Sequence, residues 1–290
     1  MATDGSRDVT IGIFGGTGLY SMAGLEIEEE LTIDTPFGPP SDAVRIGTVG
    51  GRRVAFLARH GRAHRLTPSE IPFRANVHAM RQLGVRWMLS ASAVGSLREH
   101  LPPGHFVVPL QMFDRTKQRD EHTFFGRGIV AHVSFAHPVC SALAKALHDA
   151  AVECGAPTTL GGTYVNMEGP AFSTRAESEW HRSIGCDVIG MTNLAEAKLC
   201  REAEISYATL AMVTDYDAWS DQEVHVEQVV AQLHANAELG QRVLKRAIAN
   251  VPLETTTPAH DALRNAILTP KDAWPSERIE ALRPFLGKYL

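Results

Sequence analysis

Asp215 and Asp217 stand two residues apart in the segment Thr214-Asp215-Tyr216-Asp217, directly after the apolar run Tyr207 to Val213. If the strand continues, side chains spaced by two point roughly the same way. A carboxyl pair can then divide its work: one acid donates to a ring nitrogen while the other accepts from an exocyclic amine. The competing reading is an Asx-type turn with solvated acids. Five more segments carry groups of this kind, each next to an apolar run. Gly15-Gly16-Thr17-Gly18 follows the run Val9 to Phe14. Its glycines let backbone N–H groups approach an anion and Thr17 adds a hydroxyl, although a tight turn explains the glycines equally well. The run has neither GxGxxG nor GxxxxGK[ST] spacing.

Leu57-Ala58-Arg59-His60-Gly61-Arg62-Ala63-His64 offers the planar fork of Arg59 to an oxyanion. His60 and His64 have HxxxH spacing, but a strand exit followed by glycine does not put i and i+4 on one helix face, which argues against a metal pair. Ser92 and Ala93 lie in a small-residue stretch that permits close ligand approach, and Ser92 lacks the GxSxG frame of a nucleophile. In Asn166 to Arg175, Phe172 either plugs the core or presents a flat face to an aromatic ligand. Gly190-Met191-Thr192-Asn193 closes the set at another strand end.

Strands must position these groups. Short apolar runs at 9–14, 54–58, 87–93, 106–110, 187–191 and 207–213 lack clean polar alternation and alternate with helical patterns. Leu143, Leu147, Ala150 and Cys154 share a helix face ending at Gly155, Thr174 with Glu177 forms a capping box, and a long helix is expected from Glu223 to about Val251. These features predict a single α/β domain with a mixed, largely parallel central sheet flanked by helices. The expected boundaries are 1–251 for that domain and 252–290 for a C-terminal helical tail, an appendage and not a second core, introduced by Pro252 and Thr255-Thr256-Thr257-Pro258.

Composition narrows the partners. The 290 residues are 44% hydrophobic and 21% charged, an ordinary globular balance. With 28 Lys and Arg against 33 Asp and Glu, the net charge of −5 argues against nucleic acid as the main partner. The four cysteines show no CxxC spacing and suit a reducing compartment, no run approaches the ~18 apolar residues of a membrane span, and Asp4 and Asp8 interrupt any leader. A cytoplasmic protein is expected.

Taken in order along about 200 residues, the six segments resemble the trimeric purine nucleoside phosphorylases and, among them, the S-methyl-5'-thioadenosine phosphorylases. Ile13-Phe14-Gly15-Gly16-Thr17-Gly18-Leu19, Asp34-Thr35-Pro36-Phe37-Gly38, Leu57 to His64, Gly95-Ser96-Leu97-Arg98-Glu99, Glu168-Gly169-Pro170 and Thr214-Asp215-Tyr216-Asp217 carry the likeness from about Val9 to Val251. The resemblance implies phosphorolysis of S-methyl-5'-thioadenosine to adenine and 5-methylthioribose 1-phosphate. It implies phosphate as co-substrate, no metal or organic cofactor, and a homotrimer. The implied phosphate pocket is Thr17, Arg59, His60, Ser92, Ala93 and Thr192. The implied nucleoside contacts are Phe172, Ser173, Met191, Asp215 and Asp217, with Asp215 the general acid at N7. Val226 would line the alkylthio pocket, or else be a core helix residue, and His132 would reach in from a neighbouring subunit. The family's usual arginine after Glu-Gly-Pro is Ala171 here.

Hydrogen bonding favours the amino purine. Two carboxyls suit an N6 donor and a protonatable N7, whereas a 6-oxo purine would face a carboxylate with an acceptor. The alternatives are a phosphorylase of the same fold acting on 6-oxopurine nucleosides or methylthioinosine, a non-catalytic nucleoside-binding protein, and a metal-dependent hydrolase using His60 and His64.

Overall fold

The computed structural model describes residues 9–290 except 17, 20, 21, 23, 118 and 221–225. In chain order its main elements are β1 (Ile11–Gly15), β2 (Glu26–Leu31), β3 (Val44–Val49), β4 (Arg52–Ala58), α1 (Phe73–Gln82), β5 (Trp87–Ser96), β6 (Phe106–Val108) and β7 (Gln111–Arg115). Then follow α2 (Ser141–Glu153), β8 (Thr158–Leu160), β9 (Thr163–Met167), α3 (Arg175–Ser183), β10 (Val188–Gly190), α4 (Asn193–Glu202), β11 (Ser206–Asp215), α5 (Val226–Asn250), α6 (Ser276–Ala281) and α7 (Arg283–Leu286).

The strands form one mixed sheet in the order β2-β3-β4-β1-β5-β10-β9-β7, with β11 paired to β5 and β6, and β8 paired to β6. Of the ten pairings among the described residues, six are parallel, as expected for a largely parallel sheet. Successive residues of the central strands enter different cores. Ile11, Ile13, Phe56, Trp87 and Leu89 pack on one side with residues of α2 and α5. Phe14, Ala55, Leu57 and Met88 pack on the other with residues of α1 and α4. Both faces are covered, so these strands read as unbroken apolar runs.

The sheet splits where it matters for function. Trp87 to Ser90 of β5 pair with Ile11 to Phe14 of β1, whereas Gly95 and Ser96 pair with Ile189 and Val188 of β10. Among the described residues, 91–94 therefore have no strand partner on that edge. On the other edge β11 accompanies β5 along its length, and Asp215 falls opposite Gly95 after a break in register. A crevice outside strand ends at such a switch in order is where open α/β sheets bind ligands.

Sequence spacing located α2, the α3 capping box and the strands just named. Glu177 Oε2 accepts from Thr174 N at 2.9 Å and Thr174 Oγ1 from Glu177 N at 3.2 Å. The long helix is described from Val226; the start expected at Glu223 lies outside the described residues. β2 is an edge strand with the sequence EIEEEL, and its acids hid it from an apolar search while its Glu28 pairs with Arg53 of β4 at 3.2 Å.

The tail does not hang free of the domain. Leu263, Leu282, Phe285 and Leu286 are all at most 1% exposed and join the same core as Phe73, Met80 and Leu199. His78 Nε2–H donates to the Ala281 carbonyl at 2.9 Å, and the Phe285 ring lies 4.9 Å from that of Phe124. Its apolar residues are spaced too irregularly, between prolines, to show as periodicity. Phe285→Ala should lower stability by about 3–5 kcal/mol, the usual cost of emptying a buried phenylalanine site. Urea unfolding checks this, and a loss near zero would show that the tail is merely draped over the surface.

Candidate active site

A buried polar network lies beneath the split. Arg59 leaves the end of β4 at 1% exposure and turns its guanidinium inward. Its Nε donates to Glu196 Oε1 at 2.5 Å, Nη2 to Ser90 Oγ at 2.5 Å, and Nη1 to the carbonyl of Ala91 at 2.8 Å. The last bond satisfies a backbone acceptor in the stretch of β5 that β1 and β10 leave unpaired. Glu196, 2% exposed, also accepts from Ser90 Oγ and Tyr207 OH, each at 2.8 Å. Asn193 at the first turn of α4 donates to Tyr207 OH at 2.7 Å and to Thr209 Oγ1 at 3.0 Å, and its Oδ1 accepts from Ser92 Oγ at 2.6 Å. The amino end of α4 is thereby anchored over the crevice.

The glycine loop closes the other wall. A Cβ on Gly16 would lie 2.5 Å from Arg59 Nη1 and 2.4 Å from the Ala91 carbonyl oxygen, so only glycine lets the loop approach so closely. Thr17 lies outside the described residues. Ser92 and Thr192 are each 5% exposed, and Ala93 is half-buried beside Ser92. Thr192 is the N-cap of α4 with its hydroxyl making no cap bond, and the Leu194 N–H of the first turn donates to Asn166 Oδ1 at 3.1 Å, so it is the dipole of the helix start that borders the crevice. Arg59 shares its charge with Glu196, and attraction for an anion rests as much on these dipoles as on a formal cation.

His60 is held neutral. Burial first, then the Arg59 charge, push its pKa down to about 3. Its Nδ1–H donates to the Leu66 carbonyl at 2.8 Å, which leaves Nε2 as an acceptor. The His60 and His64 rings stack 4.2 Å apart, and no group of three or more His, Cys, Asp or Glu able to hold a metal ion occurs among the described residues.

The two acids close the upper end of the crevice. Asp215 Oδ2 accepts from Thr214 Oγ1 and its Oδ1 from Asp217 N, both at 2.8 Å. A Cβ on Gly95 would come within 3.0 Å of Asp215 Oδ1, so the glycine makes room for the pair. Burial raises the pKa of both carboxyls, with the charge of Asp217 adding to the rise at Asp215. These are not solvated turn acids: Asp217 is 4% exposed. Ser178 and Ser173 lie near Asp217 and oppose the rise, although the Ser173 hydroxyl itself donates to Met167 Sδ at 3.8 Å. Met191 Sδ would be 2.5 Å from a Cβ on Gly169, which puts it against the Glu-Gly-Pro loop. Phe172 is 45% exposed, which excludes a core plug and leaves its face open.

Two residues stand apart from this group in the single chain. Val226, in the first turn of α5, is 63% exposed and is not a core residue. His132 is exposed, and it lines a cavity with Asp114, Lys198 and Glu202, none of them in the crevice. Sequence reasoning missed Ser90, Asn193, Glu196, Tyr207 and Thr209, and also Ser178 and His181 behind Asp217. A signal was present for the first group. Ser90 and Ser92 on one strand, and Tyr207 and Thr209 on the next, are hydroxyls at a spacing of two inside apolar runs, so each pair projects to one face.

A parallel-rich sheet with a crevice at its switch point and a pair of pKa-raised carboxyls beside it fits the class of nucleoside-type phosphorylases. The chain belongs to the Phosphorylase superfamily, whose profile matches residues 10–249. It is 56% identical over 98% of its length to an S-methyl-5'-thioadenosine phosphorylase of Chloroflexus aurantiacus, covering 99% of that protein. One from Koribacter versatilis is 55% identical, over 96% of both chains. Among solved structures, a methylthioadenosine phosphorylase from an antarctic soil metagenomic library superposes with a TM-score of 0.89 at 48% identity, over 95% of this chain and 99% of that one. An adenosine/methylthioadenosine phosphorylase from Schistosoma mansoni, a mutant solved with methylthioadenosine, gives 0.83 at 36% identity over 88% and 96%.

Glu196→Ala should cost about 3–5 kcal/mol in urea unfolding, because it strands the buried Arg59 charge. Asp217→Asn should move stability the other way. The native carboxyl holds its proton more tightly than its ordinary pKa of 3.8 implies. Wild-type stability therefore falls as pH rises from that value through the folded pKa. The variant escapes this penalty, so its melting temperature should exceed wild type at pH 7 and converge with it below pH ~4. A gap that widens in acid would contradict burial as the dominant effect.

Proposed function

We propose that the chain catalyses phosphorolysis of S-methyl-5'-thioadenosine, forming adenine and 5-methylthioribose 1-phosphate. The observation that carries this reading is the pair of pKa-raised carboxyls at the crevice edge, Asp217 buried and Asp215 half-buried, which can present one donor and one acceptor to a 6-amino purine. Phosphate, as co-substrate, occupies the crevice among the Gly16 loop with Thr17, Arg59, Ser92, the Ala93 backbone and Thr192. Neutral His60 offers Nε2 to the P–OH of monohydrogen phosphate.

A phosphate oxygen forms a bond to the anomeric carbon as the bond from that carbon to N9 breaks, and the electron pair of the broken bond goes to the purine. Asp215, protonated, supplies the proton to N7, while Asp217 accepts from the exocyclic amine. Positive charge growing on the sugar lies against the phosphate dianion, and negative charge growing on the base is quenched by the proton, so both effects are stronger in the transition state than in the ground state. Met191 borders the ribose, and Phe172 with Ser173 borders the base. Exposed Phe172, Val226 and His132 make sense in a homotrimer in which His132 of one subunit completes the alkylthio end of its neighbour's site. No helix among the described residues is long and apolar enough to cross a membrane, and all four cysteines are free thiols, which supports a cytoplasmic enzyme.

Release of adenine from methylthioadenosine should require phosphate and resist chelators, and methylthioinosine should react poorly. Turnover of the oxo substrate alone would overturn the carboxyl argument, and binding without turnover would mark a nucleoside-binding protein. Asp215→Asn should lower kcat by roughly 10²–10⁴, the range for losing a general acid, while the phosphate KM stays nearly unchanged. A loss shared equally between kcat and phosphate KM would remove Asp215 from the role of acid. Because the protonated carboxyl is the active form, wild-type kcat/KM should decline as pH rises, and the variant should lose that limb.

A further inference from the structure

Three arginines from distant parts of the chain line one cavity of about 250 Å³, together with Phe37 and Phe124, and none of its lining residues belongs to the crevice. Arg74, on α1, pairs with Glu121 at 2.6 Å and lies over the Phe37 ring with its guanidinium carbon 5.2 Å from the centroid. Arg127 sits at φ 51° in the turn closed by the Gly126–Ile129 bridge, exposed and without an ion-pair partner among the described residues. Arg278, on α6 of the tail, is only 8% exposed. Its Nη2 donates to the Phe124 carbonyl at 2.6 Å, while its Nε–H is buried with no partner.

This arrangement is unbalanced. A buried donor without an acceptor is rare in native proteins. Burial first, then the charges of Arg127 and Arg74, push the Arg278 pKa down, and Glu277 is the carboxylate that opposes them. With Glu121 spent on Arg74, Arg127 has no ion-pair partner among the described residues and Arg278 keeps a buried Nε–H without an acceptor, its charge opposed only by the nearby Glu277. Guanidinium N–H groups are suited to bidentate bonds with an oxyanion, and the flanking phenylalanines lower the local dielectric and strengthen such bonds.

We propose that the cavity lined by Arg74, Arg127 and Arg278 is a second anion site, separate from the catalytic crevice, that binds a phosphoryl group, either as free phosphate or as a phosphomonoester. An occupant there would clip α6 to α1 and to the 126–129 turn. It would stabilise the tail in proportion to its occupancy, because it binds only when the three elements are assembled.

Calorimetric titration of the full-length wild-type chain at fixed ionic strength tests this, with inorganic phosphate in one arm and ribose 1-phosphate in the other. Two sites per chain are expected in at least one arm. Phosphate alone filling the second site identifies the free ion as its ligand, and ribose 1-phosphate alone identifies a phosphomonoester. R127E, in an exposed turn that tolerates the change, should weaken the second site by about tenfold or more while leaving the catalytic phosphate KM unchanged. R278Q should weaken it as well and also abolish the melting-temperature gain that the anion gives the wild type. One site per chain in both arms would overturn the proposal. So would a second site untouched by R127E, or an R127E phosphate KM that rises as far as the second-site affinity falls. None of these readings depends on which nucleoside the enzyme turns over.

Discussion

The pair between Arg59 and Glu196 is the constraint on which the site depends. A guanidinium and a carboxylate at 1% and 2% exposure cannot stand alone in a protein interior, so each fixes the surroundings of the other. Arg59 can be buried only because Glu196, Ser90 and the freed carbonyl of Ala91 meet its donors. The Ala91 carbonyl is free only because β1 and β10 leave β5 at different heights. Gly16 must then be glycine, since the guanidinium occupies the space of a side chain. The split sheet, the ion pair and the glycine loop form one structure, in which the crevice is the space left over.

This arrangement alters what attracts an anion. A chain with net charge −5 and a paired arginine has little free positive charge to place in the crevice. The dipole of the α4 start remains, together with hydroxyls and a histidine kept neutral by burial and by Arg59. Such donors stay in place when the ligand leaves, and they need no counter-charge in the empty site. A neutral crevice floor also suits a co-substrate that must leave as part of a sugar phosphate, because a bare cation would hold the product as firmly as the reactant.

Much of this could be read from residue order, for physical reasons that differ from element to element. Strands buried on both faces announce themselves as apolar runs, and Arg59 and Asp215 sit at the carboxyl ends of β4 and β11, which run the same way as β1 and β5, whereas Thr192 reaches the crevice from the opposite direction because β10 is antiparallel to β5. The Thr174 capping box was legible because its two hydrogen bonds join residues three apart. The network beneath the crevice was hidden because bonds that join it, such as those of Glu196 to Tyr207 and to Arg59, span 11 and 137 residues and form only in the folded chain. β2 was hidden by its acids, and the tail by prolines that break periodicity without preventing burial. Phe172 could be assigned only from its exposure, since an aromatic loop residue has the same sequence signature whether it plugs a core or faces a ligand.

The two acids show why burial and function are joined at this site. A turn carboxylate in water would be ionised at neutral pH and could not donate to a ring nitrogen. Asp215 is drawn away from that setting, and its pKa is raised, because β5 presents Gly95 opposite it, which lets the carboxyl sink between strands where Thr214 and the Asp217 amide hold its two oxygens. Both of those bonds favour the charged form, and burial with the neighbouring acid outweighs them. The same inward path places Asp217 at φ 49°, an uncommon conformation for a residue with a side chain, and sets its carboxyl in front of Ser178 on α3. A register break in β11, a missing side chain on β5 and a left-handed residue in the turn thus act together to draw two neighbouring carboxyls out of water and raise the pKa of both.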